Sequence, residues 1–167
     1  MIDIRAGLRS RLLDNAGLSA LVGGSRVYSI RLPQNIVAPS IVFASSSGQG
    51  DHVMSGPSGL SRPRVQIDCW SQSPDIAARL SRYVKTQLDG FSGAVSALDE
   101  TGTEAVAIVD GILFESERED YDGESALFRS SLDFFVWYSD VEHGFFDVVT
   151  DTGFDLTTDG GDLIITG

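Results

Sequence analysis

The chain has 167 residues, of which 42% are hydrophobic and 22% charged, an ordinary composition for a globular protein. This length fits one domain, or one domain with an appendage. No run of about 18 apolar residues is present, so the sequence predicts no membrane span, and its first residues lack the layout of a secretory signal. The single cysteine, Cys69, excludes an intramolecular disulfide, which suits a reducing cytoplasm.

The net charge of −12 is unevenly distributed. Residues 1–98 contain ten Lys and Arg against six Asp and Glu, whereas residues 99–167 contain two against eighteen. Phosphate binding needs clustered Lys and Arg, so this asymmetry argues against a broad nucleic-acid-binding face in the second half. Two interpretations stay open: a solvated acidic surface that aids solubility, or a functional acidic surface.

The first half of the chain predicts a helix, two strands and a loop. Ile4, Leu8 and Leu12 form one apolar stripe, with Asp3 as N-cap and Gly17 near the C-terminal end of the helix. A short apolar turn at 18–22 precedes strands over 26–30 and 40–44. Residues 45–61 then predict a polar, glycine-containing loop, longer than the usual connection and therefore a candidate for a functional role.

A strand and a second helix follow this loop. Alternation over 64–70 directs Val65, Ile67 and Cys69 to one face, as expected for a half-buried strand. The stretch Ser73-Pro74-Asp75 predicts a helix start, since it supplies an N-cap, a proline at the first position and an acid in the first turn. Gly90 ends this helix.

The second half predicts two long strands. The apolar run 105–114 is read as one strand with an irregularity at Gly111; a hairpin turning at Asp110-Gly111 is the alternative. An acidic stretch, 115–124, leads into a turn at Asp122-Gly123-Glu124. The strand over 127–138 has aromatic residues on both faces, which suggests that it is covered on both sides near its end.

The last segment, 139–167, contains acids and glycines but no Lys or Arg. Its residues 154–158 and 163–166 flank Asp159-Gly160-Gly161-Asp162, a pattern typical of a β-hairpin. The sequence therefore predicts an α+β fold: a two-layer domain over 1–138, with a mainly antiparallel sheet and two amphipathic helices, followed by a C-terminal hairpin extension over 139–167.

Searches for catalytic chemistry find no site. His52 and His143 belong to no metal-binding motif, Cys69 has no cysteine partner, and no nucleophile elbow or phosphate-binding loop is present. The spacing of Asp151, Asp155, Asp159 and Asp162 does not match a calcium loop. We therefore predict no catalytic residue, no metal and no cofactor, and the chain is not expected to be an enzyme.

Two stretches carry a recognisable pattern, GDHVMSGPSGL at 50–60 and RPRVQIDCW at 62–70. Further short stretches belong to the same pattern, in this order along the chain: DNAGL at 14–18, RLPQ at 31–34, LDGF at 88–91, EREDY at 117–121, LFR at 127–129 and LDFFVW at 132–137. Together they resemble the tail completion, or tail terminator, family of long-tailed phages and prophages. The resemblance covers about residues 1–138, and the segment from Ser139 departs from it.

The resemblance implies a structural subunit of a homo-hexameric ring in the virion, made in the host cytoplasm. Such a ring caps the tail tube, stops its polymerisation and joins it to the head connector or stopper, while DNA passes through without specific binding. Expected partner contacts are Asp51, His52, Met54, Leu60, Arg62, Glu117, Glu119, Phe154 and Leu163. The alternatives are another neck component, such as a head-closure or minor tail protein, and a small enzyme or ligand-binding module.

Overall fold

The computed structural model describes residues 4–34, 37–47, 50–53, 56–98, 101–140, 158–159 and 162–163. The protein is α+β, with a strand-rich, curled mixed sheet and few helices. In chain order the elements are α1 (Arg5–Asp14), α2 (Ala16–Leu21), β1 (Val27–Ser29), β2 (Ser40–Ser47), β3 (Gly50–Val53), β4 (Gly56–Ser61), β5 (Arg64–Ser71), α3 (Pro74–Leu88), β6 (Gly93–Leu98), β7 (Glu104–Asp122), β8 (Leu127–Asp140), β9 (Thr158–Asp159) and β10 (Asp162–Leu163).

Strand β8 is the centre of the sheet. One of its edges pairs with β7, and the other pairs with β5 and then, beyond Pro63, with β4. On the outer sides, β2 pairs with β5, β3 with β4 and β6 with β7, all antiparallel. The sheet is mixed because β1 joins β2 in parallel.

The predicted loop over 45–61 is wrong. Strand β2 continues to Ser47, and β3 and β4 form a β-arm in line with β2 and β5. The root of this arm is held by β8, where Leu60 pairs with Ser139 and Ser61 with Tyr138. The serines and glycines carry no alternating apolar signal, so these strands arise from backbone pairing with neighbours, which a periodicity search does not detect.

The N-terminal helix is broken into α1 and α2. Ile4 occupies the cap position of α1, while the predicted cap, Asp3, lies outside the described residues. Asn15 caps α2, its Oδ1 accepting a hydrogen bond of 2.9 Å from the backbone N–H of Leu18. Gly17 was predicted to lie near the C-terminal end of the helix, but it lies inside α2. A Cβ at this position would come within 2.8 Å of the Tyr83 ring. Glycine is used there for close helix packing.

The buried side chains of the three helices and of one side of the sheet form one apolar cluster. From α3 this cluster includes Leu80, Val84 and Leu88. Strand β5 contributes Val65, Ile67 and Cys69, as predicted. The cluster also includes residues of β1, β2, β6, β7 and β8, so it joins the helices to six strands of the sheet.

The prediction of one long strand with an irregularity at Gly111 is confirmed by β7. The register with β8 shifts between Val109 and Gly111 and again between Phe114 and Ser116. The acidic stretch continues this strand as far as Asp122. Strand β6 was not predicted, because its alternation of Val95 and Ala97 with small residues is weak.

Only part of the C-terminal extension is described. Asp162 pairs with Asp159 and Leu163 with Thr158, whereas Phe154 and most neighbouring residues lie outside the described part. The complete hairpin and the domain boundary at 138 therefore stay predictions. Strand β8 itself runs to Asp140.

Candidate assembly surfaces

The outer side of β7 forms an open sheet edge, which we call the acidic edge (residues 115–122). Strand β6 pairs only with Glu104 to Val109. Ile112 then bonds through both backbone groups to Gly90 and Phe91, and the Phe114 N–H donates to Asp89 Oδ1 at 3.1 Å. Beyond this point no described strand pairs with the outer side of β7. The acidic edge therefore offers backbone groups for pairing with another chain.

One face of the acidic edge looks toward α3. Because of the shift at Phe114/Ser116, Glu117 pairs with Leu132 of the core and lies on the helix side. Its Oε1 accepts a hydrogen bond of 2.9 Å from Ser130 Oγ. A shallow groove separates this face from α3; its lining residues are Ala78, Ser81, Arg82, Glu117, Arg118 and Glu119. The groove thus combines acidic and basic side chains.

The opposite face of the acidic edge carries a polar network. Arg64 pairs with Glu115 at 3.1 Å and with Asp133 at 3.2 Å, and Asp133 also accepts from Ser116 Oγ at 3.2 Å. Asp133 is only 3% exposed, so its charge is compensated by these two partners. The exposed Arg64–Glu115 pair contributes little stability by itself.

Both arginines of the second half are held on this same face. Arg129 pairs with Asp120 at 2.8 Å, and Arg118 donates to Gln66 Oε1 at 3.4 Å. These contacts fix the strand in its register and leave its other acids facing solvent.

The turn from β7 to β8 is stabilised by Asp122. Its carboxylate accepts hydrogen bonds from Ser125 Oγ at 2.6 Å and from the Glu124 N–H at 3.2 Å. The Ser125 hydroxyl, followed by the backbone N–H of Glu124, lowers the pKa of Asp122 because both bonds favour the charged form.

The predicted contact residues fall in separate places. Leu60 and Arg62 lie near the C-terminal end of β8, where Arg62 stacks on the Trp137 ring at 4.8 Å. Glu117 and Glu119, both exposed, lie on β7 toward the opposite end of the sheet. Asp51 and His52 belong to β3, and Leu163 to β10. Met54 and Phe154 lie outside the described residues. The structure therefore does not bring these candidates together into one site.

Residue-by-residue reasoning missed an exposed apolar face on the side of the sheet away from the helices. It comprises Val106, Ile108 and Leu113 of β7, exposed by 55%, 36% and 53%, together with the half-buried Phe135 and Trp137 of β8. Register places Leu113 opposite Phe135 and Gly111 opposite Trp137, so the side chains are contiguous. The signal in the sequence was the presence of aromatics on both faces of β8.

The groups capable of chemistry do not converge. Burial raises the pKa of the Cys69 thiol, and nearby Asp68 and Glu117 add to that shift, so the thiol is neutral and enclosed. Across the described residues, no three His, Cys, Asp or Glu side chains form a group that could hold a metal ion. None of the described helices is long and apolar enough to cross a membrane.

Comparisons with known proteins identify the family. A family model described as "Tail completion protein gp17" matches residues 6–139. A solved structure titled "Virion of native gene transfer agent (GTA) particle" contains a chain with the same fold, with a TM-score of 0.64 and 16% identity, covering 83% of this chain and 96% of that one. No curated protein matches. The chain therefore belongs to the tail completion protein gp17 family and is a structural component of a phage-type virion tail.

Proposed function

We propose that the chain is a ring-forming subunit, hexameric in its final assembly, that caps the tail tube, stops its polymerisation and joins it to the head connector. The observation that carries this proposal is the acidic edge. A closed ring uses head-to-tail contacts, so each copy must offer two different surfaces. An open strand edge is one such surface, and it recruits a partner through backbone hydrogen bonds.

Charge favours a partner surface from the first half of the next copy. Glu115, Glu117, Glu119 and Asp120 disfavour pairing of two acidic edges, because like charges on neighbouring strands destabilise a sheet. The first 98 residues carry the excess of Lys and Arg. A head-to-tail arrangement brings the two unlike halves together, whereas a symmetric pair joins like with like.

The same surfaces suit a role without catalysis. Members of the matched family are structural tail proteins, and we propose that this chain acts only through such contacts. DNA would pass through the ring without specific binding, because Arg118 and Arg129 of the second half are held by Gln66 and Asp120 and the remaining charges there are acidic.

The test measures assembly of the full chain by native mass spectrometry and negative-stain imaging, alone and with the tube protein of its virion. We expect rings, and tubes that stop growing when the chain is added. Glu119→Arg should weaken the ring, since it reverses an exposed charge on the acidic edge. Glu104→Arg is the matched control, since it makes the same change on the same strand where β6 already pairs.

Two results would overturn the proposal. One is a chain that stays monomeric both alone and with the tube protein. The other is an equal loss of ring formation in the Glu104→Arg and Glu119→Arg variants, because the acidic edge would then have no special part in closure.

Raising the ionic strength should also weaken the ring, since exposed charge pairs are screened within about 8–10 Å at ordinary salt.

A further inference from the structure

The outward face of α3 carries two of the few exposed cations in the first half of the chain. Of the ten Lys and Arg in residues 1–98, all of which the structure describes, only Arg31, Arg79 and Arg82 are exposed. Most of the others are held within the chain: Arg9, Arg11 and Arg26 donate to backbone carbonyls, Arg62 and Lys85 lie over aromatic rings, and Arg64 pairs with Glu115 and Asp133. The exposed positive charge of this half is therefore concentrated on α3.

The two arginines of α3 border an open groove of about 390 Å³, together with Tyr83 and Thr86. Their spacing of three, four and seven residues places all four on one face of the helix. Within the described part of the chain, neither Arg79 nor Arg82 forms an ion pair. Asp75 lies one turn before Arg79, at the N-terminal end of the helix, where the helix dipole favours its negative charge. The groove therefore keeps a net positive charge.

The outer edge of β1 shows how an arginine on a helix closes a strand edge in this chain. Arg26 and Ile30 bond to β2, so Val27 between them turns its backbone outward. The Val27 carbonyl accepts a hydrogen bond of 3.0 Å from Nε of Arg9, in α1, and its N–H donates to the carbonyl of Ser25 at 2.8 Å. This edge is already satisfied, so it is a poor partner for the acidic edge of another copy.

We propose that α3 of the neighbouring copy closes the acidic edge in the ring, with Arg79 and Arg82 donating to the carboxylates and open backbone carbonyls of β7. This inference rests on the proposed function, since it requires a ring. Arginine presents five N–H donors in a rigid fork that matches carboxylate geometry. The matching acid is Glu119, which is exposed and, unlike Glu115 and Asp120, has no ion pair within the described residues.

The two contact surfaces point in different directions on one copy. Lys85 Nζ lies 3.6 Å from the centroid of the Phe114 ring, so that side of α3 faces β7. Thr86 is turned by about 100° around the helix from Lys85, and Arg79 lies on the same side two turns earlier. Arg82 lies between these directions and also borders the groove beside its own acidic edge. Surfaces at roughly 120° to each other close a six-membered ring, so Arg79 is the cation best placed for the neighbour.

Charge reversal in the full chain tests this contact. Native mass spectrometry measures ring formation by Arg79→Glu and by Glu119→Arg under the conditions in which the wild-type chain forms rings. Each variant places like charges at every contact, so we expect the concentration for half-maximal ring formation to rise at least about tenfold. Arg31→Glu is the matched control, because it makes the same change at the exposed arginine outside α3, and it should shift this concentration by less than about twofold. Circular dichroism checks that all three variants are folded.

Mixing the two defective variants gives a sharper result. In the proposed ring, position 119 of each copy meets position 79 of the next. Alternating copies of Arg79→Glu and Glu119→Arg therefore restore opposite charges at every contact, whereas each variant alone brings like charges together. We expect the mixture to form rings with three copies of each variant, identified by the mass difference between the two substitutions.

Three results would overturn this inference while the proposed function stands. Arg79→Glu would form rings as readily as the wild-type chain, or Arg31→Glu would weaken the ring equally, or the mixed variants would stay as unassembled as each one alone. A wild-type chain that forms no rings, alone or with the tube protein, would overturn the proposed function and this contact with it.

Discussion

Phe134→Ala tests the placement of β8 most directly. Phe134 is fully buried, and its ring meets Phe114 edge-to-face at a centroid distance of 5.7 Å and an interplanar angle of 69°. Burial of a Phe side chain contributes about 1.5–3 kcal/mol, the ring pair adds about 0.5–1.5 kcal/mol, and a residual cavity adds further cost. We therefore expect the free energy of unfolding to fall by about 3–5 kcal/mol.

Urea unfolding followed by circular dichroism measures this loss, at a protein concentration where the mass is constant, since assembly also stabilises. The control is Val37→Ala, at a side chain that is 60% exposed, which should cost less than about 0.5 kcal/mol. A double-mutant cycle with Phe114→Ala isolates the ring pair. A loss below about 1 kcal/mol for Phe134→Ala would refute the burial of this face.

Three further predictions concern local geometry. Gly7→Ala should lower the free energy of unfolding by about 1–3 kcal/mol, because its Cβ would lie 2.3 Å from the backbone oxygen of Ser96. The control is Gly111→Ala, whose Cβ meets nothing within 4 Å. Equal losses of unfolding free energy for the two variants in urea would contradict the packing of α1 on β6. Ile30 is 64% exposed and has a φ of 73°, a backbone conformation that is strained for a β-branched residue. Ile30→Gly should therefore stabilise the protein by about 1 kcal/mol, whereas Ile30→Ala should not. A lower urea midpoint for the glycine variant would contradict backbone strain at this position. Carboxyl NMR titration should give Asp122 a lower pKa in the folded protein than in the unfolded chain. Its contribution to stability is therefore present above the unfolded pKa and is lost as pH falls through the folded pKa. Ser125→Ala should raise the folded pKa of Asp122, and an unchanged pKa would exclude this hydrogen bond as the cause.

The elements predicted from the sequence are those in which pattern and burial agree. Strand β5 alternates because one of its faces is in the core, and α3 begins at Ser73-Pro74-Asp75 because that sequence satisfies a helix start. The β-arm has no such pattern. Its strands depend on partners distant in sequence, such as Leu60 with Ser139, and local periodicity contains no information about those partners.

The partner contacts expected from the sequence stay predictions. Glu117 and Glu119, two of these residues, lie on the open edge of β7. The exposed apolar face was missed because Val106, Ile108 and Leu113 resemble core residues in the sequence, and only the register shows which way they point. The prediction that β8 is covered on both sides near its end is not confirmed, since Phe135 and Trp137 on this face are only half-buried.

The two register shifts in β7 explain how one strand forms three different surfaces. A strict alternation from Val109 would place Leu113 and Glu115 in the core. The shift at Gly111 instead directs Ile112 and Phe114 inward and leaves Leu113 outward, in the apolar face. The shift at Ser116 changes the phase again, so that Glu117 faces α3 and Ser116 meets Asp133. Such register shifts are typical of β-bulges, which redirect the side chains that follow them. The acidic edge proposed for ring closure and the exposed apolar face are thus fixed relative to each other by one continuous strand, and a change in either shift would disturb both.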